Sequence, residues 1–412
     1  MKVITRLSIR KLMLVILCLG SAANALTVRT ASAPTDDLDL TLSAIQSAKK
    51  TLYFNAYELT SAPIVAALVE RINAGVAVSL LQEGQPVGNI NADGQKAQSD
   101  ILAAMNKKTN NHYFVMEAKT VKERRYRFDH AKYAIVDGQA LLIGSENYSD
   151  GGHTPPGKSG NRGWEVLLND DPIVKEFINT FRSDVDTSHG DIKELTGDRA
   201  PTALGLAAIS ALEPLFNHGW TSEADSFADS LASFPDLAAR EVHSIMSPTT
   251  SLSGLTGMMN QARQTLDLEL MTFSPNWADG VTPSPLYQSV VDTAKRNVHV
   301  RVLLNDERSF NPGLPLAKSK NWKTVNSLNE LAKSQNLNLE ARIANIKAMG
   351  VNYIHNKGAL IDDDKTLISS INWNSNSVTN NREAAVLITS TDVHRHYQDI
   401  FDGDWEKSQS TN

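Results

Sequence analysis

Two stretches of this 412-residue chain repeat one arrangement of side chains able to hold and transfer a phosphate group. The first runs His130, Lys132 and Asp137, then Gly144-Ser145-Glu146-Asn147, then Asn161-Arg162-Gly163-Trp164-Glu165. The second runs His355, Lys357 and Asp362, then Ser369-Ser370-Ile371-Asn372, then Asn381-Arg382-Glu383. Each copy reads H-x-K-x-x-x-x-D, and in each an Asn follows the His by 17 positions. A single such octapeptide is a weak signal, whereas two copies with the same downstream Asn and a later Glu are a strong one. Two imidazoles and two ammonium groups brought together would make a pocket for one phosphate. Asn147 and Asn372 can donate amide hydrogens to its non-bridging oxygens, with Ser145 and Ser370 as further candidate donors. Glu165 and Glu383 can each accept the Nδ1 proton of a histidine, which leaves Nε2 free to attack or to hold a proton. A metal site from the same His and Asp content is disfavoured, because the motif lysines would repel a cation.

The elements around these residues also come in two copies. The first copy opens at Val28 to Pro34 and the second at Val242 to Pro248. A helical stretch follows each (Leu38 to Lys49, Leu252 to Arg263), then an apolar strand (Thr51 to Tyr57, Thr265 to Met271). A second helix (Ala62 to Ala74, Pro285 to Arg296) leads to a second strand (Val76 to Leu81, Val298 to Leu304). Helical insertions over Asp93 to Lys107 and Asn321 to Ser334 precede a further strand and then the H-x-K segment. Asp137-Gly138 between two apolar runs predicts a hairpin, with His and Lys two apart on one strand face. Short β-branched runs alternating with helices predict an α/β layer fold in two pseudo-symmetric lobes, each a mixed sheet flanked by helices.

The expected organisation is a signal peptide over 1–25, a first lobe over 26–186, a helical connector or cap over 187–240, and a second lobe over 241–412. The N-terminal segment has a basic start (Lys2, Arg6, Arg10, Lys11), a short apolar core and Ala23-Asn24-Ala25, which predicts export into a cell envelope or medium. The single cysteine, Cys18, falls inside it, so the mature chain would have neither disulfide nor Cys nucleophile. Removing four basic residues and no acidic ones takes the formal charge from −6 to −10. Such a balance disfavours a general nucleic-acid binder, whose affinity is mostly electrostatic. Lys119, Lys122, Arg124, Arg125 and Arg127 form either a solvated basic loop or a collar drawing phosphate toward His130. Trp164, Trp277 and Trp373 read as packing residues. The loop Phe310 to Lys320 mixes apolar and basic residues and suits either a lipid surface or an ordinary Pro-rich loop.

On its two H-x-K-x-x-x-x-D motifs the chain resembles the phospholipase D superfamily of phosphodiesterases, and the surrounding repeat extends the resemblance over nearly all of the mature sequence. The resemblance implies an active site at the junction of two lobes and a two-step mechanism without a cofactor. One His forms a phosphohistidine while the other protonates the leaving alkoxide. It favours His130 as nucleophile and His355 as acid/base, with Lys132, Lys357, Asn147 and Asn372 as phosphate ligands and Asp137 and Asp362 as structural residues. It further implies one bilobed fold; the expected partner is a phospholipid substrate or membrane surface rather than nucleic acid, and the chain is expected to act as a monomer. Hydrolysis of phosphatidyl lipids is the expected activity, with a cardiolipin synthase-like transferase or a secreted nuclease as alternatives. Two departures stand out. Ser369 replaces the usual Gly, and the His-to-Glu interval is 35 residues in the first copy against 28 in the second. If Glu165 is the counterpart of Glu383, about seven extra residues bulge around Gly151 to Lys158.

Overall fold

The structure is a computed structural model and describes residues 26–106, 110–117, 123–196, 231, 233–277 and 279–410. The segment expected to direct export lies outside these residues, as does most of the expected helical connector.

In the first lobe, β1 (Thr27–Ala33) leads to α1 (Asp37–Ser47), β2 (Thr51–Ala56), α2 (Ala62–Ala74), β3 (Ala77–Glu83), α3 (Ala92–Met105) and β4 (His112–Met116). The hairpin β5 (Tyr133–Val136) and β6 (Ala140–Gly144) follows, then β7 (Gly163–Leu168), α4 (Asp171–Asp184) and β8 (Ile192–Glu194). Between the lobes lies β9 (Leu237–Ala238). The second lobe repeats the plan with β10 (Glu241–Ser247), α5 (Ser251–Gln261), β11 (Thr265–Leu270), α6 (Pro285–Lys295), β12 (His299–Leu304), α7 (Lys320–Gln335) and β13 (Leu339–Ile343). It closes with β14 (Lys357–Ile361), β15 (Lys365–Ser369), β16 (Glu383–Thr389), α8 (Thr391–Lys407) and β17 (Gln409–Ser410).

The two sheets run β8-β4-β3-β2-β5-β6-β7-β1-β9 and β10-β16-β15-β14-β11-β12-β13-β17. β2, β3 and β4 are parallel, as are β11, β12 and β13, and the H-x-K hairpin joins each set antiparallel through β5 or β14. The fold is therefore the mixed α/β, two-lobed arrangement expected from the repeat. β2 is buried at every position, which is why it reads as a continuous apolar run rather than an alternating one. Helix boundaries follow local chemistry. Ser61 and Pro63 start α2, and Gly75 ends it at φ 96°.

Two expected boundaries shift. β8 pairs with β4, so the first lobe continues past residue 186, and β9 pairs with β1, which ties the end of the connector back to that lobe. The strand nearest each motif also starts later than expected. His130 sits three residues ahead of β5 and His355 two ahead of β14, on extended chain leading into the hairpins.

Apolar side chains form one cluster on the outer face of each sheet and a third between them. The central cluster draws on α4 (Phe177, Phe181), α8 (Tyr397, Phe401), Trp164 and Ile354. Burying both closing helices between the sheets makes the lobes one unit. Trp164 and Trp373 are buried and Trp277 packs partly buried against the outer cluster of the second lobe.

Candidate active site

Both motif histidines are anchored by main chain from the opposite lobe. The N–H of His130 donates to the carbonyl of Arg382 at 2.8 Å, and that of His355 to the carbonyl of Arg162 at 2.9 Å. Short bridges Asp129–Arg382 and Arg162–Ile354 extend these contacts. The arginine side chains lock the same junction. Arg162 pairs with Asp404 of α8 at 2.6 Å, and Arg382 with Asp184 of α4 at 2.9 Å. Each guanidinium also donates to the residue ahead of the proline that follows the lobe's first strand, Arg162 to Ala33 and Arg382 to Ser247.

A carboxylate crosses the junction to each imidazole. His130 Nδ1 donates to Glu383 Oε2 at 2.8 Å, and His355 Nδ1 donates to Glu146 Oε2 at 3.1 Å. Nε2 is thereby left as the reactive nitrogen on both rings. Lys132 Nζ donates to the carbonyl of His130 at 2.5 Å, and Lys357 Nζ to that of His355. The ring of Tyr57 lies 4.6 Å from His130 and 5.1 Å from Lys132 Nζ, and Tyr353 lies 5.7 Å from His355.

Burial dominates the electrostatics of the site. Burial, then the mutual proximity of the two lysines, pushes Lys357 down to about 7. Burial also pushes Lys132 down to about 8, opposed by Glu383 and Asp129. Burial lowers His130 to about 4, opposed by Glu383. His355 is held well below 6.5 by burial and by both lysines. Both lysines act on each of the two imidazoles, so all four motif side chains lie around one space. The two carboxylates differ. Burial raises Glu383, but His130 and Lys132 outweigh it and hold the carboxyl below its ordinary value. Glu146 rises to about 7 through burial, opposed chiefly by Lys357. An anion placed between the lysines would relieve their mutual repulsion.

The other expected site residues divide. Asn147 donates to Glu58 at 3.1 Å, and the side-chain oxygens of Asn147 and Asn372 are buried. Asp137 accepts from the N–H groups of Lys49, Lys50 and Thr51, and Asp362 from those of Arg263, Gln264 and Thr265. Both therefore pin the far end of the central strand, away from the histidines. Two expectations need correction. Glu165 does not reach a motif histidine. It accepts from His153 Nε2 at 3.2 Å and from Thr41 Oγ1 at 2.7 Å. The Ser370 hydroxyl donates to Glu383 at 2.7 Å, so its proton is committed to that carboxylate rather than to a phosphate, whereas Ser145 Oγ accepts from the N–H of Trp164. Of the basic run, Arg124 is paired with Glu83 and Arg125 with Asp191, while Lys119 and Lys122 lie outside the described residues.

Glu146 is the residue the sequence reasoning missed. The signal was present. Aligning Asn161-Arg162 with Asn381-Arg382 sets Gly163, not Glu165, opposite Glu383. The first-copy interval is then 33 residues, and the extra loop is five residues rather than seven. His153 in that loop is the true partner of Glu165. Burial would lower it, but Glu165 and Asp37 raise it to about 9, so the pair is a buried imidazolium–carboxylate clasp on the loop.

Among the described residues, no group of three or more His, Cys, Asp and Glu side chains could hold a metal ion, and no helix is long and apolar enough to cross a membrane.

Two lobes of this topology, with duplicated His–Lys pairs meeting at their junction, define a two-motif phospholipase D-like protein. The chain belongs to the family described as cardiolipin synthase, PLD-like domain, whose model matches residues 41–185 and again 255–405. No curated protein matches the sequence. Among solved structures, the chain is similar to phosphatidylserine synthase from Haemophilus influenzae Rd KW20, at 12% identity and a TM-score of 0.62, over 94% of this chain and 89% of that one. It is also similar to Nuc, a phospholipase D family member from Salmonella typhimurium, at 21% identity and a TM-score of 0.34, over 42% of this chain and 99% of that one.

Proposed function

We propose that this chain is an exported phosphodiesterase that hydrolyses phosphatidyl lipids to phosphatidic acid and the head-group alcohol. The observation that carries the reading is the crossed pair of carboxylate–imidazole contacts around two buried lysines. His130, neutral and held by an ionised Glu383, attacks phosphorus through Nε2. The N–P bond forms as the P–O bond to the head-group alcohol breaks. His355 takes up a proton when the anionic phosphodiester offsets Lys132 and Lys357, and it passes that proton to the leaving oxygen. In the second step His355 accepts a proton from water, whose oxygen attacks phosphorus and releases His130. Lys132, Lys357 and the amides of Asn147 and Asn372 carry the charge on the phosphoryl oxygens.

Export rests on the basic and apolar N-terminal segment, and a lipid surface as partner on the half-exposed Phe310 beside Tyr353. A second reading is favoured by the family's description and by the phosphatidylserine synthase similarity. In it the phosphohistidine passes to an alcohol instead of water, with the same residues in the same roles.

The experiment offers purified mature protein mixed phospholipid vesicles, phosphatidylglycerol alone, and single- and double-stranded DNA. Phosphatidic acid as main product, with a transphosphatidylated lipid when ethanol is added, is the expected result. Cardiolipin as the main product would move the assignment to transfer. Rapid DNA cleavage beside inert vesicles would overturn the lipid reading.

A further inference from the structure

The carboxylates that reach the two motif histidines come from positions that are not equivalent. The N–H of Ser145 donates to Trp164 O and that of Ser370 to Ala384 O, both at 3.0 Å. In return, the N–H groups of Trp164 and Ala384 donate to Ser145 Oγ and Ser370 Oγ, both at 3.1 Å. Strand register agrees. Ala33 pairs with Gly163, and Ser247 pairs with Glu383, and each of Ala33 and Ser247 precedes a proline. Gly163 therefore stands where the second lobe has Glu383, and Glu146 stands where it has Ile371.

The two exchanges are spatially coupled. A Cβ on Gly163 would lie 2.5 Å from Glu146 Cγ and 2.6 Å from Ser145 Oγ. The Glu146 carboxyl thus fills the room that a side chain at 163 would need. It is also received by the same donor. Asn161 donates to Glu146 at 3.0 Å, and its counterpart Asn381 donates to Glu383 at 2.9 Å. One carboxylate site per lobe is conserved in space, while the backbone position supplying it has moved by 17 residues in the first lobe.

We propose that Glu146 is the positioning residue for His355 and that positions 146 and 163 form one exchangeable unit, equivalent to Ile371 with Glu383 in the second lobe. The proposal rests on the reading of His355 as the proton-transferring histidine. Because Glu383 serves His130 across the junction and Glu146 serves His355 in the other direction, each lobe orients the other's imidazole.

The test is a transplant in the full chain: Glu146→Ile, Gly163→Glu, and the two combined. Glu146→Ile is expected to lower kcat on the order of 10²–10⁴-fold, the scale seen when a carboxylate stops fixing a catalytic tautomer. Gly163→Glu alone is expected to be damaging as well, since two carboxyls would compete for one site. The combination is expected to recover to within about tenfold of the parent, a sign reversal that independent sites do not show. Histidine ¹⁵N spectra of the substrate-free protein supply a readout independent of any substrate. His355 is expected as the Nδ1–H tautomer in the parent and the double variant, and as a mixture in Glu146→Ile. If the parent is inert toward all phosphodiesters offered, the proposed function fails while the spectra still decide the role of Glu146. An unchanged His355 tautomer in folded Glu146→Ile would overturn the proposal. So would a folded double variant no better than the singles. If the double variant does not fold, the tautomer in the single variant alone decides.

Discussion

The main-chain N–H of His355 donates to the carbonyl of Arg162 in the opposite lobe, and the guanidinium of that same arginine is buried against Asp404. One residue thus fixes a motif histidine through its backbone and the lobe junction through its side chain. Arg382 does the same for His130 with Asp184. The placement of the motif histidines and interlobe stability are consequently one property.

The first prediction follows from that coupling. Asp404→Ala takes the paired carboxylate from the buried Arg162, with Glu269 as a remaining nearby acid, and should cost up to about 3–5 kcal/mol of unfolding free energy, the range for breaking a buried pair. Arg162→Met combined with Asp404→Leu removes both charges and should recover most of that loss, while activity stays low if the junction shifts His355. Denaturant unfolding of the two variants checks this. A loss below about 1 kcal/mol for the single variant, a value typical of exposed pairs, would show that the pair is not a structural lock.

A second prediction concerns packing at the same junction. Gly358, beside Lys357, lies against Trp164 of the other lobe, and a Cβ there would sit 2.5 Å from the indole Cε3. The indole is buried and stacks on Tyr397 at 4.7 Å, so it has little room to yield. Gly358→Ala should cost about 1–3 kcal/mol by overpacking and should lower kcat through displacement of Lys357. Pairing it with Trp164→Phe should return part of the stability. A thermal unfolding midpoint unchanged by Gly358→Ala would contradict the packing described.

Much of this was readable beforehand, and the reasons are physical. Two H-x-K segments with a shared Asn interval survive any reading of the chain, because each leads into an apolar hairpin whose turn is marked by Asp, Asp137-Gly138 in the first copy and Asp362 to Asp364 in the second. Glu383 was legible because it lies on the strand beside its own motif hairpin. Its partnership with His130 rather than His355 was not, because nothing local tells which lobe's imidazole a side chain at the junction meets. Glu165 misled for a related reason. It has the right type near the right place, but it lies two residues beyond the register position of Glu383. The five-residue loop supplied His153, which occupies Glu165. The roles of Ser145 and Ser370 depend on backbone N–H groups that a sequence does not display.

A third prediction uses the depressed lysines. With Lys132 near 8 and Lys357 near 7, both are substantially neutral at pH 8 in the empty site. A bound anion favours their charged forms, so binding must take up protons, and affinity must fall as pH rises through this range. Tungstate titrated at pH 8 in buffers of different ionisation enthalpy should show uptake of about one proton or more per site. Heats that do not vary with buffer would rule out lysines titrating on phosphate binding.

The last prediction separates the two histidines. His130 keeps an ionised Glu383 at 2.8 Å, whereas His355 has Glu146, with its carboxyl raised to about 7, at 3.1 Å. The imidazole facing the firmly ionised carboxylate is the better able to carry the positive charge of a phosphohistidinium, because that charge develops on the ring as the N–P bond forms. The other ring must gain and lose a proton in successive steps, which a carboxyl that itself titrates near neutrality hinders least. His130→Asn should therefore abolish turnover and leave no phosphopeptide. His355→Asn should lower turnover by about 10²–10⁴-fold, the usual worth of general acid–base catalysis. A substrate with a good leaving group, such as a nitrophenyl phosphodiester, does not need the proton from His355 in the first step. With it, His355→Asn should release a stoichiometric burst of nitrophenol and accumulate the phosphoryl group, still carrying its second ester, on the peptide containing His130, because only the hydrolytic step still lacks its base. Alkaline quench and peptide mass analysis read the site directly. Phosphate found instead on the peptide containing His355, in His130→Asn, would reverse the order of the two residues and leave the crossed-carboxylate site as the common machinery.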